Sequence, residues 1–537
     1  MTRGGRSPDA PHLAAYLEAS AARSPDHVAV VGPDGTALTY RELNERAARV
    51  AGFLRTAGVA RGDRVALLLP KGTSSLTVIF GVLKAGAAYV PIDWSGPVDR
   101  NGRILTESGA VAVFADPKPL AALTAGAPAT LPRTVVVVGG PPGERTAWDE
   151  VLAHAPMAHA PMADAPMTQD GEGMARSAAD LAYILFTSGS TGVPKGVTLT
   201  HENATSFVDW CSEVFAPTPE DRFSSHAPFH FDLSVLDIYL PLKHGAALFI
   251  VSEELGQSPK KLAHFIADHA LTVWYSTPSI LSLLTQFGGL EALGKNALRL
   301  VLFAGEVFPV KHLRKLVQLW PHADYYNLYG PTETNVCTFA RIPVPVPEER
   351  AEPYPIGPVC AHCEALVLDD EDGREVAPGG EGLLYITGPS VFREYWGRPD
   401  LGARCFIERG GKRWYNTGDV VREDAAAGFI YAGRRDRMVK RRGYRIELGE
   451  IERGLYTNER VREAAVIAVP EPDLGVKIIA FLSLRPGERA SVIEMKQFCA
   501  RALPSSMSPD VFTFVEAMPR TSTDKTDYQA LVRLAGG

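Results

Sequence analysis

Along the first quarter of the chain the apolar positions follow two rhythms. Leu43, Ala47, Val50 and Leu54 recur every three or four residues, which predicts one face of a helix, and Gly58 is placed to end it. Residues 64–69 form an apolar run closed by Pro70, which reads as a buried strand. A helix is expected over 74–84, with short strands at 89–92, 111–114 and 134–138. Helices alternating with short apolar strands argue for an α/β fold, its helices layered on parallel strands.

The rhythm breaks at residues 154–167, HAPMAHAPMADAPM, where Ala-Pro-Met recurs three times at five-residue spacing. Proline at every fifth position blocks both a helix and a central strand, so a flexible surface insertion is expected. A methionine-rich copper site using His154 and His159 is the sharper alternative. Beyond residue 430 the pattern changes again. A basic run at 433–443 is followed by short strands at 464–469 and 478–482 and a helix at 493–501. These predict a small α+β domain after a larger N-terminal one, with the boundary at Asp436: residues 1–435 and 436–537.

Composition narrows the possibilities. The chain has 537 residues, 46% of them hydrophobic and 22% charged, too many for one core. A formal net charge of −7 argues against a nucleic-acid partner. No apolar run approaches the ~18 residues of a membrane span, so no membrane association and a cytoplasmic location are expected. Six cysteines are scattered, and the close pair Cys360-Ala-His-Cys363 has no second pair at the spacing a zinc site needs.

The chemistry is concentrated in residues 186–196, FTSGSTGVPKG, directly behind the apolar run at 181–185. Gly189, Gly192 and Gly196 let backbone N–H groups approach a ligand; Ser188, Ser190 and Thr191 add hydroxyls, and Lys195 adds a charge. This suits phosphate oxygens. It is neither a Walker A loop, since Lys195 follows a proline, nor a dinucleotide-binding G-x-G-x-x-G. Alone, it could equally be a Gly/Ser hairpin loop.

Other segments change that balance. In order come LTYREL at 38–43, LKAGAAYVPID at 83–93, the loop itself, FDLS at 231–234, NLYGPTE at 327–333, YNTGD at 415–419, the basic run with YRIE at 444–447, and PRTSTDK at 519–525. Together these blocks resemble the adenylate-forming enzymes, specifically the adenylation domains of nonribosomal peptide synthesis, over nearly the whole chain.

The resemblance implies a carboxylate activated by MgATP as an acyl-adenylate, then transferred to a thiol. Lys525 would bridge the carboxylate and the α-phosphate, a task suited to a compact charge on a long stem. Glu333 would hold Mg²⁺, a hard oxygen for a hard cation. Asp436 would be the interdomain hinge, about which Lys525 and Gly443 are presented in turn. The implied ATP-binding set is Thr187, Ser188, Gly189, Ser190, Thr191, Gly192, Lys195, Asn327, Tyr329, Thr332, Asp419, Tyr431 and Arg434. Within it, Asp419 would hold both ribose hydroxyls, Tyr329 and Tyr431 the adenine faces, and Asn327 the adenine amino edge. Tyr431 could instead be a strand-packing aromatic. The family usually carries glycine before the catalytic lysine, where this chain has Asp524.

The same resemblance places the acid substrate. Asp232 matches the aspartate that binds an α-ammonium; its alternative is a helix cap before Val235-Leu236. The implied pocket comprises Asp232, Leu233, Leu236, Tyr275, Leu302, Ala304, Leu328, Val336 and Cys337, closed by Lys525. Its apolar lining predicts a small apolar side chain. It resembles the proline-activating members of the family, which load L-proline onto a carrier protein on the way to pyrrole-containing antibiotics. Leucine or valine is the alternative substrate, and an acyl- or aryl-CoA ligase or an idle binding module the alternative function. The chain runs only to Gly537 beyond Lys525, so a stand-alone ligase is expected, with a phosphopantetheinylated carrier protein in trans and Arg441 and Arg442 near its acidic surface.

Overall fold

A computed structural model of the chain describes residues 12–126, 130–141, 143–157, 177–188, 194–435, 437–471, 475–520 and 526–536. Two large sheets carry most of the structure. In the first, strands Thr146–Ala147, Thr134–Val137, Ala112–Ala115, Arg64–Leu68, Ala88–Pro91 and Leu181–Thr187 lie side by side and parallel, and Lys195–Thr200 closes the edge antiparallel. The second runs Thr338–Ile342, Asp324–Tyr329, Leu300–Ala304, Val273–Ser276, Arg222–Ser225, Ala247–Ile250, Val28–Val31, Ala37–Thr39. Its centre is parallel and its two edge pairs are antiparallel. This is the layered α/β arrangement expected from the alternation of elements.

Helices Leu13–Arg23, Tyr40–Thr56, Thr73–Lys84, His201–Phe215 and Leu233–His244 share one continuous core with both sheets. Helix Tyr40–Thr56 starts at a capping box between Thr39 and Glu42, and Leu43, Ala47, Val50 and Leu54 are all fully buried along it. It crosses helix Thr73–Lys84 so closely that a Cβ on Gly81 would lie 2.4 Å from Val50 Cγ1, which is why glycine stands there. Helix Leu233–His244 is buried on every side from Leu233 to Leu242, as an apolar sequence without a polar face requires.

The start of the Ala-Pro-Met repeat is not free of the body. The Met157 amide donates to Ala48 O, and Arg49 donates to His154 O. The later repeats lie outside the described residues.

Beyond these layers, strands Glu364–Leu368, Glu381–Thr387, Phe406–Arg409, Lys412–Asp424 and Gly428–Arg434 form an antiparallel sheet. A hairpin of Met438–Arg441 and Tyr444–Glu447 follows. The chain then builds a separate sheet of Val461–Glu471, Gly475–Leu484 and Val511–Phe514, with helices Leu448–Tyr456 and Val492–Ala502 packed on it around Ile451, Val466, Ile478 and Met495. Asp436, the expected hinge, lies outside the described residues. Among them no helix is long and apolar enough to cross a membrane.

Candidate active site

The C-terminal ends of parallel strands from both sheets converge on one cavity of about 120 Å³. This is where open α/β sheets expose backbone and side chains to ligands. Thr187 and Ser188 arrive from strand Leu181–Thr187, Tyr275 from Val273–Ser276, Ala304 from Leu300–Ala304, and Thr332 from the turn after Asp324–Tyr329. Asp232 and Leu233 come from the start of the buried helix, and Val336 from the segment after Thr332. The hairpin closes the other side with Lys440, Gly443, Tyr444 and Arg445.

Asp232 occupies the N-cap position of helix Leu233–His244, yet its side chain makes no capping hydrogen bond. It has no ion pair among the described residues. Burial pushes its carboxyl above the ordinary aspartate range, with Thr332 and the Lys440 charge working the other way. A carboxylate held in this state is relieved by a cationic ligand group. Tyr275, Ala304, Val336 and Leu233 line the cavity beside it, whereas Leu236, Leu302, Leu328 and Cys337 are buried without lining it. The hydroxyl of Thr187 and the amide nitrogen of Asn335 are buried without a hydrogen-bond partner. Both residues line the cavity.

Glu333 is fully buried next to this cavity, inside a nest of polar groups. Arg445 Nη1 donates to both of its carboxylate oxygens at 2.9 and 2.8 Å, Tyr395 Oη donates at 2.7 Å, and Lys195 Nζ stands 3.4 Å away. Burial alone would raise its pKa, but Arg445 and then Lys195 hold it well below the usual carboxylate range, so it is ionised. Lys195 is depressed by its own burial and by the Arg445 charge. Ser188 Oγ donates to Arg445 O at 2.6 Å, tying the strand before the glycine-rich loop to the hairpin.

A second buried carboxylate, Asp419, accepts hydrogen bonds from Tyr329 Oη and, at 2.6 Å, from Arg434 Nη1. The Lys440 ammonium lies 5.2 Å over the Tyr329 ring, bridging this cluster to the cavity. Asn327 Nδ2 donates to Pro355 O at 2.9 Å, and Tyr431 packs beside Val421 and Phe429.

Gly189, Ser190, Thr191, Gly192, Asp524 and Lys525 lie outside the described residues. The flanks of Lys525 are described: Arg520 pairs with Glu463, and Asp527 N donates to Pro519 O. None of these flanking residues lines the cavity. Arg441, expected on the surface, points inward, pairing with Asp510 and donating to Ser506 O and Ser508 O at 3.0 Å; Arg442 is exposed. The residues that sequence reasoning missed are Tyr395, inside VFREYWGR between two recognised blocks, and Glu306, after strand Leu300–Ala304. Among the described residues no group of three or more His, Cys, Asp or Glu is placed to hold a metal ion.

The family model described as AMP-binding enzyme matches residues 17–396, and that described as AMP-binding enzyme C-terminal domain matches residues 450–525. An L-proline--[L-prolyl-carrier protein] ligase of Pseudomonas fluorescens is 39% identical over 518 residues, covering 96% of this chain and 98% of the relative. One of Streptomyces coelicolor is also 39% identical, over 94% of this chain and 93% of its own length. Among solved structures, IdnL1 superposes with a TM-score of 0.77 at 30% identity, covering 96% of this chain and 100% of its own. The Vibrio cholerae adenylation domain AlmE, solved with glycyl-adenosine-5'-phosphate, has a TM-score of 0.80 at 24% identity over the full length of both chains.

Proposed function

The chain belongs to the AMP-binding enzyme family, and from that premise we propose that it activates L-proline with ATP and passes the prolyl group to a carrier-protein thiol. In the first step a substrate carboxylate oxygen attacks the α-phosphorus of ATP and pyrophosphate leaves. In the second, a thiol sulfur attacks the acyl carbon and AMP leaves.

The observation that carries this reading is Asp232, a carboxylate with no capping hydrogen bond and, among the described residues, no ion pair, facing a small cavity beside Leu233, Tyr275, Ala304 and Val336. Proline keeps a cationic nitrogen for Asp232 and offers a compact ring to Tyr275, Ala304 and Val336. The 39% identity with two prolyl-carrier ligases supports proline over leucine, valine or an acid without an amine.

Roles for the remaining groups follow from their chemistry. Ser188 and Lys195 meet phosphate oxygens. Glu333 is a hard, ionised oxygen donor that fits Mg²⁺, and the metal, when bound, neutralises phosphate charge. Asp419 serves the ribose hydroxyls and Tyr329 the adenine. Lys525 bridges carboxylate and α-phosphate, and residues 436–537 turn about Asp436 against residues 1–435. The seated hairpin suits the second step. Its Arg445 engages Glu333 and Ser188, two groups that the first step needs for MgATP.

The test is amino-acid-dependent ATP–pyrophosphate exchange across the twenty amino acids, benzoate and a fatty acid. Strongest exchange with L-proline is the expected result. Leucine or valine in its place would keep the chemistry and remove the substrate assignment. Exchange only with an acid lacking an amine would remove the role of Asp232.

A further inference from the structure

Glu306 is a carboxylate that none of the roles above uses. It follows Gly305, whose left-handed φ of 94° turns the chain sharply off strand Leu300–Ala304. One carboxylate oxygen accepts from Ser279 N at 3.0 Å and from Ser279 Oγ. Ser279 lies in the first turn of helix Pro278–Phe287, where amides have no partner within the helix. The other oxygen accepts from Gly443 N at 3.0 Å.

Gly443 belongs to the two-residue turn of the hairpin. Arg442 and Gly443 both take left-handed φ values, 51° and 80°, the geometry of a tight hairpin turn. The turn fits flush against the body: a Cβ on Gly443 would lie 2.4 Å from Thr277 Cγ2, and its Cα is 3.7 Å from the Cβ position of Gly305. The next residue, Tyr444, sets its ring edge-to-face on Phe231 at 4.6 Å. The hairpin that carries Lys440, Tyr444 and Arg445 into the cavity is thus seated at its tip on a single carboxylate. That carboxylate is 137 residues away in sequence and does not itself line the cavity.

We propose that Glu306 is a positioning residue for acyl transfer: it seats the 438–447 hairpin by holding the Gly443 amide, and adenylation does not depend on it. The assignment rests on the two-step reading above. Ser279 keeps the carboxylate aimed whether or not the hairpin is present, so the seat is ready before the hairpin arrives. The hairpin's grips at Arg445, on Glu333 and on Ser188, use groups that the first step also needs, whereas the grip at Glu306 uses none. Its loss is therefore expected to separate the two steps.

The test uses the full chain carrying Glu306→Ala or Glu306→Gln. Three quantities are measured: L-proline-dependent ATP–pyrophosphate exchange, thioester formation on free pantetheine, and hydrogen–deuterium exchange of the peptide spanning 438–447. In Glu306→Ala, pyrophosphate exchange stays within about twofold of the parent while thioester formation falls at least tenfold, and the hairpin tip loses protection. Glu306→Gln keeps one acceptor oxygen and falls between. Equal losses in both reactions would make Glu306 a general structural residue and overturn the proposal, as would unchanged thioester formation. If the parent protein activates no amino acid, the functional reading fails by itself. Hairpin protection then still decides the seat: lost in Glu306→Ala, it supports the seat, and retained, it overturns it.

Discussion

Replacing Asp232 with alanine isolates the interaction on which the substrate assignment depends. A hydrogen bond to a charged group contributes about 1.5–3 kcal/mol net, and stranding a buried charge raises the cost to about 3–5 kcal/mol. Asp232 lines an open cavity rather than a sealed core, so a value near 3 kcal/mol is appropriate. At about 1.4 kcal/mol per decade that is roughly a hundredfold loss. The assay is kcat/KM for L-proline in ATP–pyrophosphate exchange. It is run beside tetrahydrofuran-2-carboxylate, which has the ring and the carboxylate but no cationic nitrogen. The parent should favour proline strongly, and the variant should discriminate little between the two acids. Stability should move the other way. The folded state holds the Asp232 proton more tightly than the unfolded chain does, so ionisation costs stability increasingly as pH rises above the ordinary aspartate value near 3.9. The alanine variant should therefore melt no lower than the parent at pH 8. A hundredfold activity loss with a lowered Tm, or discrimination between the two acids left intact, would refute the ammonium role.

Other outcomes follow from the same geometry. Glu333→Gln should lower exchange by about two orders of magnitude and raise the Mg²⁺ concentration needed for half-maximal rate. Because its folded pKa is depressed, the stability that Glu333 contributes is present above the ordinary carboxylate value and lost in acid. The Tm deficit of this variant should therefore narrow as pH falls below about 5. Arg441→Ala should cost about 2–3 kcal/mol by removing the cation on Asp510 and the donor to two carbonyls, read as a lowered Tm. Arg442→Glu should leave Tm unchanged while raising the KM for a carrier protein in a salt-dependent way. Asp237 is fully buried, and burial lifts its carboxyl well above the ordinary range, so Asp237→Asn should raise Tm at pH 8, an advantage that fades toward pH 4.

What the chain revealed before folding was its local order. The spacing of Leu43, Ala47, Val50 and Leu54 named a real buried face, and the apolar runs at 64–69 and 111–114 named real parallel strands. The second sheet was not read, because strands such as Arg222–Ser225 and Val273–Ser276 are only four residues long, too short for periodicity to separate them from a buried helix turn. At the site, Lys195, Glu333 and Arg445 were each legible inside a separate motif. No motif states that they meet within 3.4 Å or that Tyr395 completes the group. Tyr395 is an aromatic among aromatics, and Glu306 an acid after a strand; neither carries a spacing that marks it. Arg441 and Arg442 make the limit sharpest. They are adjacent cations in one basic run, yet one is locked onto Asp510 and the other faces solvent, because Arg441 ends the strand and Arg442 is the first residue of the hairpin turn. Charge counting sees seven equivalent positions from Arg434 to Arg445. The fold separates four of them: Arg434 pairs with Asp419, Arg441 is pinned on Asp510, Arg442 faces solvent and Arg445 holds Glu333. That division is set by which carboxylate each one reaches across the chain, a quantity that tertiary distance alone defines.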